Sequence, residues 1–199
     1  MRFNAILLAG GRSSRMGRDK AMLILRNTTL LQTSYDKLSQ VLASKSDSQV
    51  IVSGNYPEYQ GIVDEKLTCG PIEGLWSCTR SMKSNSAVLV CPVDMPRLSI
   101  EQFVILFEEF EKEYALNPEI QYIQFADWEM PFVFLFNEQS EVILTKVRDS
   151  EDSTKRSIKY FKSQLQGKSV STQKEVFFAN VNTPDDWREV NDEASFKLE

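Results

Sequence analysis

LLAGGRSSRMGRDKAML, residues Leu7 to Leu23, carries the chain from an apolar stretch into two adjacent glycines and then four cations within nine residues. The apolar residues before Gly10 read as a first buried strand, and the break after Ala9 places a loop at its end. Gly10 and Gly11 lack a Cβ, so the backbone there can turn tightly and present N–H groups to an anion. Gly17 offers a third such point. Arg12, Arg15, Arg18 and Lys20 concentrate positive charge in a chain whose net charge is -5. A basic turn serving solubility alone fits poorly with that acidic background, and the combination points to a bound phosphate chain.

The spacing excludes the two most familiar phosphate loops. Gly11 and Gly17 are followed by no Lys-Ser or Lys-Thr pair, so there is no Walker A motif, and Gly10-Gly11-Arg12 breaks the dinucleotide pattern G-x-G-x-x-G. What remains, G-G-x-S-x-R-M-G-x-D-K, resembles the signature loop of nucleotidyltransferases, which hold a nucleoside triphosphate between a first strand and its following helix.

Composition narrows the chemistry. The 199 residues fit one domain, and 42% hydrophobic with 26% charged residues is the balance of a globular protein. The acidic net charge argues against nucleic acid or an anionic membrane as partner. Histidine is absent, which removes Ser-His-Asp and Cys-His catalysis and imidazole metal ligands. Cys69, Cys78 and Cys91 form neither a C-x-x-C pair nor a zinc spacing and read as small buried residues in a reducing compartment. The apolar run Ala5 to Ala9 is too short for a signal peptide, and no stretch approaches the roughly 20 apolar residues of a membrane span. A cytoplasmic location is expected.

Apolar runs at Phe3–Ala9, Gln49–Ser53, Ile62–Asp64 and Ala87–Cys91 read as strands covered on both faces, hence a parallel sheet. Helical spacing over Thr29–Ala43, and from a Ser99 cap to Tyr114, completes a β-α-β alternation and a doubly wound α/β fold. Ile120–Ala126 and Pro131–Phe136 read as a hairpin around Asp127–Met130. Helices over Gln139–Val147 and Ser153–Leu165, a strand Glu175–Ala179, and a last helix from Pro184 with Thr183 as its cap follow.

Ligands of open parallel sheets gather at the carboxyl ends of the strands. Asp64 in IVDE and Asp94 in CPVDMP stand at such ends, and Asp94, framed by Pro92 and Pro96, is the better placed to hold a divalent cation against phosphates. CGPIEGL, Cys69 to Leu75, is a second glycine turn entering a helix at Pro71, where Gly70 lets N–H groups approach a nucleobase or phosphate. Asn180 and Asn182 in ANVNTPDD present carboxamides just after the last strand.

In this order, the first loop, Asp64, GPIEG, CPVDMP and ANVNTPDD resemble the molybdenum cofactor guanylyltransferases over nearly the whole chain. The first loop alone is shared with sugar-1-phosphate nucleotidyltransferases and cytidylyltransferases. The resemblance implies a three-layer, Rossmann-like α/β fold of the nucleotide-diphospho-sugar-transferase type with a mostly parallel central sheet. It also implies one domain over residues 1–199, with a nucleotide half to about residue 115 and an acceptor half from about 116. The implied reaction transfers GMP from Mg-GTP to the terminal phosphate of molybdenum-bearing molybdopterin and releases pyrophosphate.

Carried over by residue, Leu8, Ala9, Gly10 and Gly11 contact the nucleotide, with Ser53 and Gly70 beside it. Lys20 and Arg15 meet the phosphates as catalytic cations, Asp64 meets the guanine and ribose, Asp94 holds Mg2+, and Asn180 and Asn182 face the pterin. The implied partners are GTP, molybdopterin, and cofactor-delivery proteins or molybdoenzymes, met by a monomer. Two departures bear on base and acceptor. Ser53 stands where relatives often have Asn, leaving Asn55 as a substitute, and Met130 stands where they often have His or Gln. Arg148, Lys155 and Arg156 form a candidate anion patch, set against the plainer reading of a solvated helix face. The alternatives are a molybdopterin cytidylyltransferase, a sugar-1-phosphate nucleotidyltransferase, and a non-catalytic nucleotide-binding assembly factor.

Overall fold

The computed structural model describes residues 1–10, 19–66, 70–172 and 175–196. Its first strand, β1 (Arg2–Leu8), is followed by a two-stranded ribbon, β2 (Ile24–Leu25) and β3 (Thr28–Thr29). Arg26 and Asn27 turn this ribbon with positive φ at both positions, the backbone a two-residue hairpin loop favours. Helix α1 (Leu30–Leu42) leads to β4 (Gln49–Ser53), α2 (Pro71–Thr79) to β5 (Ser86–Pro92), and α3 (Ile100–Leu116) to β6 (Tyr122–Phe125) and β7 (Phe132–Phe136). Then come α4 (Glu138–Arg148), α5 (Ile158–Ser163), β8 (Gly167–Val170) and α6 (Pro184–Phe196).

Six strands form one sheet in the order β4-β1-β5-β7-β6-β8, parallel except where β7 pairs with β5 and β6. The period-2 alternation of a strand divides its side chains between two cores. Ala5 and Leu7 of β1, with Ala87 and Leu89 of β5, face α1 and α3, while Ile6, Leu8, Val88 and Val90 face α2, α4 and α5. All seven residues of β5 are buried, the signature of a strand covered on both sides. The result is the expected three-layer α/β arrangement. Among the described residues, no helix is long and apolar enough to cross a membrane.

Capping signals in the sequence set the helix starts. Thr29 Oγ1 accepts from Gln32 N at 3.0 Å to open α1, and Asn137 and Ser140 cap α4 reciprocally, each bond 2.9 Å. Thr183 opens α6, accepting from Asp186 N at 3.2 Å.

Three expected elements differ. Ile62–Asp64 makes only an isolated bridge, Ser53 to Ile62, because the chain crosses the end of β4 instead of running along it. Ser153–Leu165 is broken into a 3-10 turn, Ser153–Lys155, and α5, since Ser157 starts a new helix by accepting from Tyr160 N. Glu175–Phe178 is a 3-10 turn and not a strand, and the edge of the sheet is taken by the polar β8.

Candidate active site

The three parallel strands end in register. Leu8 is paired with Ser53 on one side and Pro92 on the other. The hydrogen bonding continues one residue further, from Ala9 N to Ser53 O at 3.2 Å and from Val93 N to Leu8 O at 3.1 Å. The residues after β1, β4 and β5 therefore leave the sheet together. One crossover runs from β1 to β4 through α1 and the next reaches β5 through α2, so β1 sits at a switch point where a crevice must open. A cavity of about 220 Å³ occupies it.

One wall of the cavity is Leu8, Ala9 and Gly10; Ser53, Asp64 and Gly70 form a second; Lys20, Asp94 and Asn180 form a third. The fold thus gathers these predicted residues around one space. Asn182 meets it indirectly, its Oδ1 accepting from Lys20 Nζ at 2.6 Å. Gly11 and Arg15 lie outside the described residues, as do Arg12, Arg18 and Cys69. The structure adds Gly74 and Met130 to the lining. Gly74 was legible only as the last glycine of GPIEG, and Met130 only as a departure. Asn55 is exposed and does not line the cavity, whereas Ser53 is buried against it.

Lys20 is the hub of one side of the cavity. It follows Asp19, which caps the turn Lys20–Met22 by accepting from Ala21 N at 3.0 Å. Its ammonium lies 3.4 Å from Asp94 Oδ2, with both side chains about four-fifths covered, at 18% and 22% exposure. The far end of the chain is stitched to the same place: Val181 N donates to the Asp94 carbonyl at 2.8 Å. Asn182 N and Thr183 N both donate to Asp186 Oδ2, each at 2.8 Å, and these bonds hold the Asp186 carboxyl below its ordinary pKa. Below Asp94, Lys37 Nζ donates to the carbonyls of Pro96 and Leu98 at 2.8 and 2.7 Å, fixing the turn that follows.

The opposite wall centres on Asp64. Burial raises its pKa and the nearby Glu73 charge raises it further, while a hydrogen bond from the Ser53 side chain opposes both. Its Oδ1 is buried and has no hydrogen-bond donor among the described residues. A buried acceptor left alone is costly, so the site is suited to a ligand that brings N–H or O–H groups. Gly70, at φ +62, is the residue before α2 and adopts a backbone that side chains with a Cβ rarely take.

Of the candidate anion patch, Arg148 is turned away from solvent. Arg148 is 7% exposed and is engaged by the fully buried Glu73, and Lys155 lies 3.7 Å from Asp152. Cys78 and Cys91 are free and buried, with thiol pKa values pushed up to about 12 chiefly by burial, which suits inert core residues. Among the described residues, no group of three or more Asp, Glu or Cys side chains could hold a metal by itself.

Comparison with known proteins gives consistent matches. The sequence model described as MobA-like NTP transferase domain matches residues 5–150. A molybdenum cofactor guanylyltransferase of Xanthomonas euvesicatoria is 32% identical over 187 residues, covering 93% of this chain and 92% of that protein. A probable molybdenum cofactor guanylyltransferase of Peptoclostridium acidaminophilum is 24% identical over 94% of this chain and 87% of its own length. Among solved structures, molybdopterin-guanine dinucleotide biosynthesis protein A of Archaeoglobus fulgidus superposes with a TM-score of 0.72 at 20% identity, covering 97% of this chain and 99% of that one. At that identity the likeness is one of fold.

Proposed function

The chain belongs to the MobA-like NTP transferase family, and on that premise we propose that it transfers GMP from GTP to the terminal phosphate of molybdenum-bearing molybdopterin. The observation that carries the reading is the contact of Lys20 with both Asp94 and Asn182, the latter 162 residues away. It joins the residue after the basic loop, the carboxylate after β5 and the Asn182 carboxamide before α6 in one place. Residues up to about 115 then serve the nucleotide and those from about 116 the acceptor, within a single domain.

In this reaction an oxygen of the pterin phosphate attacks the α-phosphorus of GTP. The new P–O bond forms as the bond to the β-phosphate oxygen breaks, and pyrophosphate leaves with the electron pair. A phosphate monoester has its second pKa near about 6, so it is already ionised and needs no histidine base. Positioning and charge neutralisation are what the protein must supply. Lys20, with Arg15 beside it in sequence, neutralises the phosphates and the departing pyrophosphate. The main chain of Leu8, Ala9, Gly10 and Gly11 lines the nucleotide. Asp64, with a buried oxygen that has no partner among the described residues, receives donors from the guanine or ribose, next to Ser53 and Gly70.

Asp94 would hold Mg2+. Its 3.4 Å contact with Lys20 is long and leaves acceptor capacity, and one carboxylate with water and phosphate oxygens is the usual donor set for this ion. Bound there, the ion would polarise the α-phosphate. Asn180 and Asn182 orient the acceptor.

Pyrophosphate release measured with GTP, CTP and ATP, each with and without molybdopterin, tests the reading. Release is expected with GTP and only when molybdopterin is present. Preference for CTP would replace the guanylyl assignment, and release with a sugar phosphate instead of molybdopterin would replace the acceptor.

A further inference from the structure

Tyr56 lies outside every motif read from the sequence, yet its hydroxyl meets the two chain segments that flank the basic loop. The hydroxyl oxygen is 2.9 Å from Asp19 Oδ2 and 3.2 Å from the carbonyl of Ala9. Its single proton favours the shorter, charged acceptor, with the carbonyl as a second. The other oxygen of the Asp19 carboxylate accepts from Ala21 N, so one carboxylate links Tyr56 to the turn that bears Lys20.

The ring is set rigidly enough to transmit that link. Tyr56 is 7% exposed and covers Gly54, where an added Cβ would lie 2.5 Å from the ring at a φ of +126. Tyr56 N donates to the Gly54 carbonyl at 3.1 Å, and Gly61 N donates to the Tyr56 carbonyl at 3.0 Å. Gly54 N and Ile62 N close this loop onto β4 through bonds of 2.8 Å. The phenol is a dependable donor because burial, and then the Asp19 carboxylate, hold its pKa above the ordinary tyrosine value.

We propose that Tyr56 is a positioning residue for Lys20, acting through Asp19 to set the lysine against Asp94 and Asn182. The inference rests on the reading of Lys20 as a phosphate-binding residue. Asp19 fixes the turn that carries Lys20 through its bond to Ala21 N, and Tyr56 fixes Asp19 relative to the Ala9 carbonyl after β1 and to Gly54 after β4. Without the hydroxyl, the carboxylate can swing from its cap on Ala21, and the ammonium loses its defined place.

Tyr56→Phe keeps the ring on Gly54 and deletes only the hydroxyl. Relative to wild type, kcat/KM for GTP is expected to fall about tenfold, the scale of one lost charge-assisted hydrogen bond. The fall should be absent when the variant is made on a Lys20→Met background, because the two residues act as one unit. Equal falls on both backgrounds, or no fall in the single variant, would overturn the proposal. A second measurement needs no substrate: hydrogen exchange at the Ala21 amide should speed up in Tyr56→Phe while amides of β1 and β5 keep their protection. Unchanged exchange at Ala21 would overturn the strap. If wild type turns over no nucleotide, the functional reading fails, and the exchange result still decides whether Tyr56 holds Asp19.

Discussion

Arg148 and Glu73, 75 residues apart, meet in a two-pronged ion pair between α4 and α2, with Nε 2.8 Å from Oε2 and Nη2 3.0 Å from Oε1. The guanidinium lies on the face of Trp76, 3.7 Å from its centroid, and Glu73 also accepts from the Lys66 amide at 3.2 Å. Burial by itself would raise the Glu73 pKa, but Arg148 and the Lys66 amide outweigh it and hold the carboxyl below its ordinary value. The pair fixes the helix that lines the cavity with Gly70, Pro71 and Gly74 against a helix of the second half of the chain.

Removing one partner leaves the other charge buried. Arg148→Met is expected to lose about 3 to 5 kcal/mol of stability, the usual cost of breaking a buried pair from one side. Glu73→Leu combined with Arg148→Met should recover most of that loss, since two apolar groups need no partner. Urea unfolding of wild type and the two variants checks this, and a loss below about 1 kcal/mol in Arg148→Met would show the pair to be idle.

Lys20→Ala removes the ammonium shared by Asp94 and Asn182. A charge-assisted contact of this kind is worth about 1.5 to 3 kcal/mol, so kcat/KM for GTP should fall roughly ten- to a hundredfold. Steady-state kinetics supply the comparison, and unchanged constants would return Lys20 to a structural role.

Asp94→Asn should keep the fold, because Val181 N bonds the backbone carbonyl of Asp94 and not its side chain. Without the negative charge, a hard dication is poorly recruited, and turnover should fall by roughly a hundredfold or more with most nucleotide affinity retained. Turnover measured across magnesium concentrations, beside a thermal melt, separates the outcomes. Normal turnover at low magnesium would move the metal elsewhere, with Asp64 the next carboxylate to test.

Lys162 is 5% exposed, with its ammonium 2.6 Å from both Gln124 Oε1 and the Glu129 carbonyl. Burial lowers its pKa to about 8 from 10.5, with Glu129 opposing the shift. Between these pH values the folded chain has released a proton that the unfolded chain still holds. Unfolding therefore takes up a proton, and raising the pH through the window favours the folded state. The stability of wild type relative to Lys162→Met should thus rise from about pH 8 to 10.5 and be level below it. Denaturant titrations of both proteins at each pH would reveal a flat difference if Lys162 titrates as an ordinary lysine.

The elements legible in sequence were those with a local physical cause. β1, β4 and β5 announced themselves through apolar runs, α1 through its helical spacing, and α3 and α6 through Ser99 and Thr183 as caps, because hydrophobic period and side-chain capping act within a few residues. Ala9, Gly10, Asp64 and Asp94 were legible for the same reason: each follows a strand or bridge, where ligands collect. β8 was missed because Gly167–Lys168–Ser169–Val170 sits on the sheet edge with its first three residues exposed, so no apolar pattern marks it. The stretch Glu175–Ala179 read as a strand, yet Phe178 is buried by stacking 4.7 Å from Trp128, a demand that the 3-10 turn Glu175–Phe178 meets equally well.

By itself, then, the sequence determined a β-α-β chain with a basic glycine loop after its first strand, carboxylates at two further turns and no histidine chemistry. Which charge meets which was decided by the tertiary structure alone. Arg148 reads as a surface cation on its helix, and only the packing of α4 on α2 turns it to Glu73. Tyr56 carries no local signal, and only the closure of residues 54–61 beneath the end of β1 brings its hydroxyl to Asp19. Lys20 finds Asn182 because the bond from Val181 N to the Asp94 carbonyl holds the end of the chain beside the turn that follows β5. Such contacts depend on where distant segments are held, and residue type and spacing carry local preferences but not the partner across the fold.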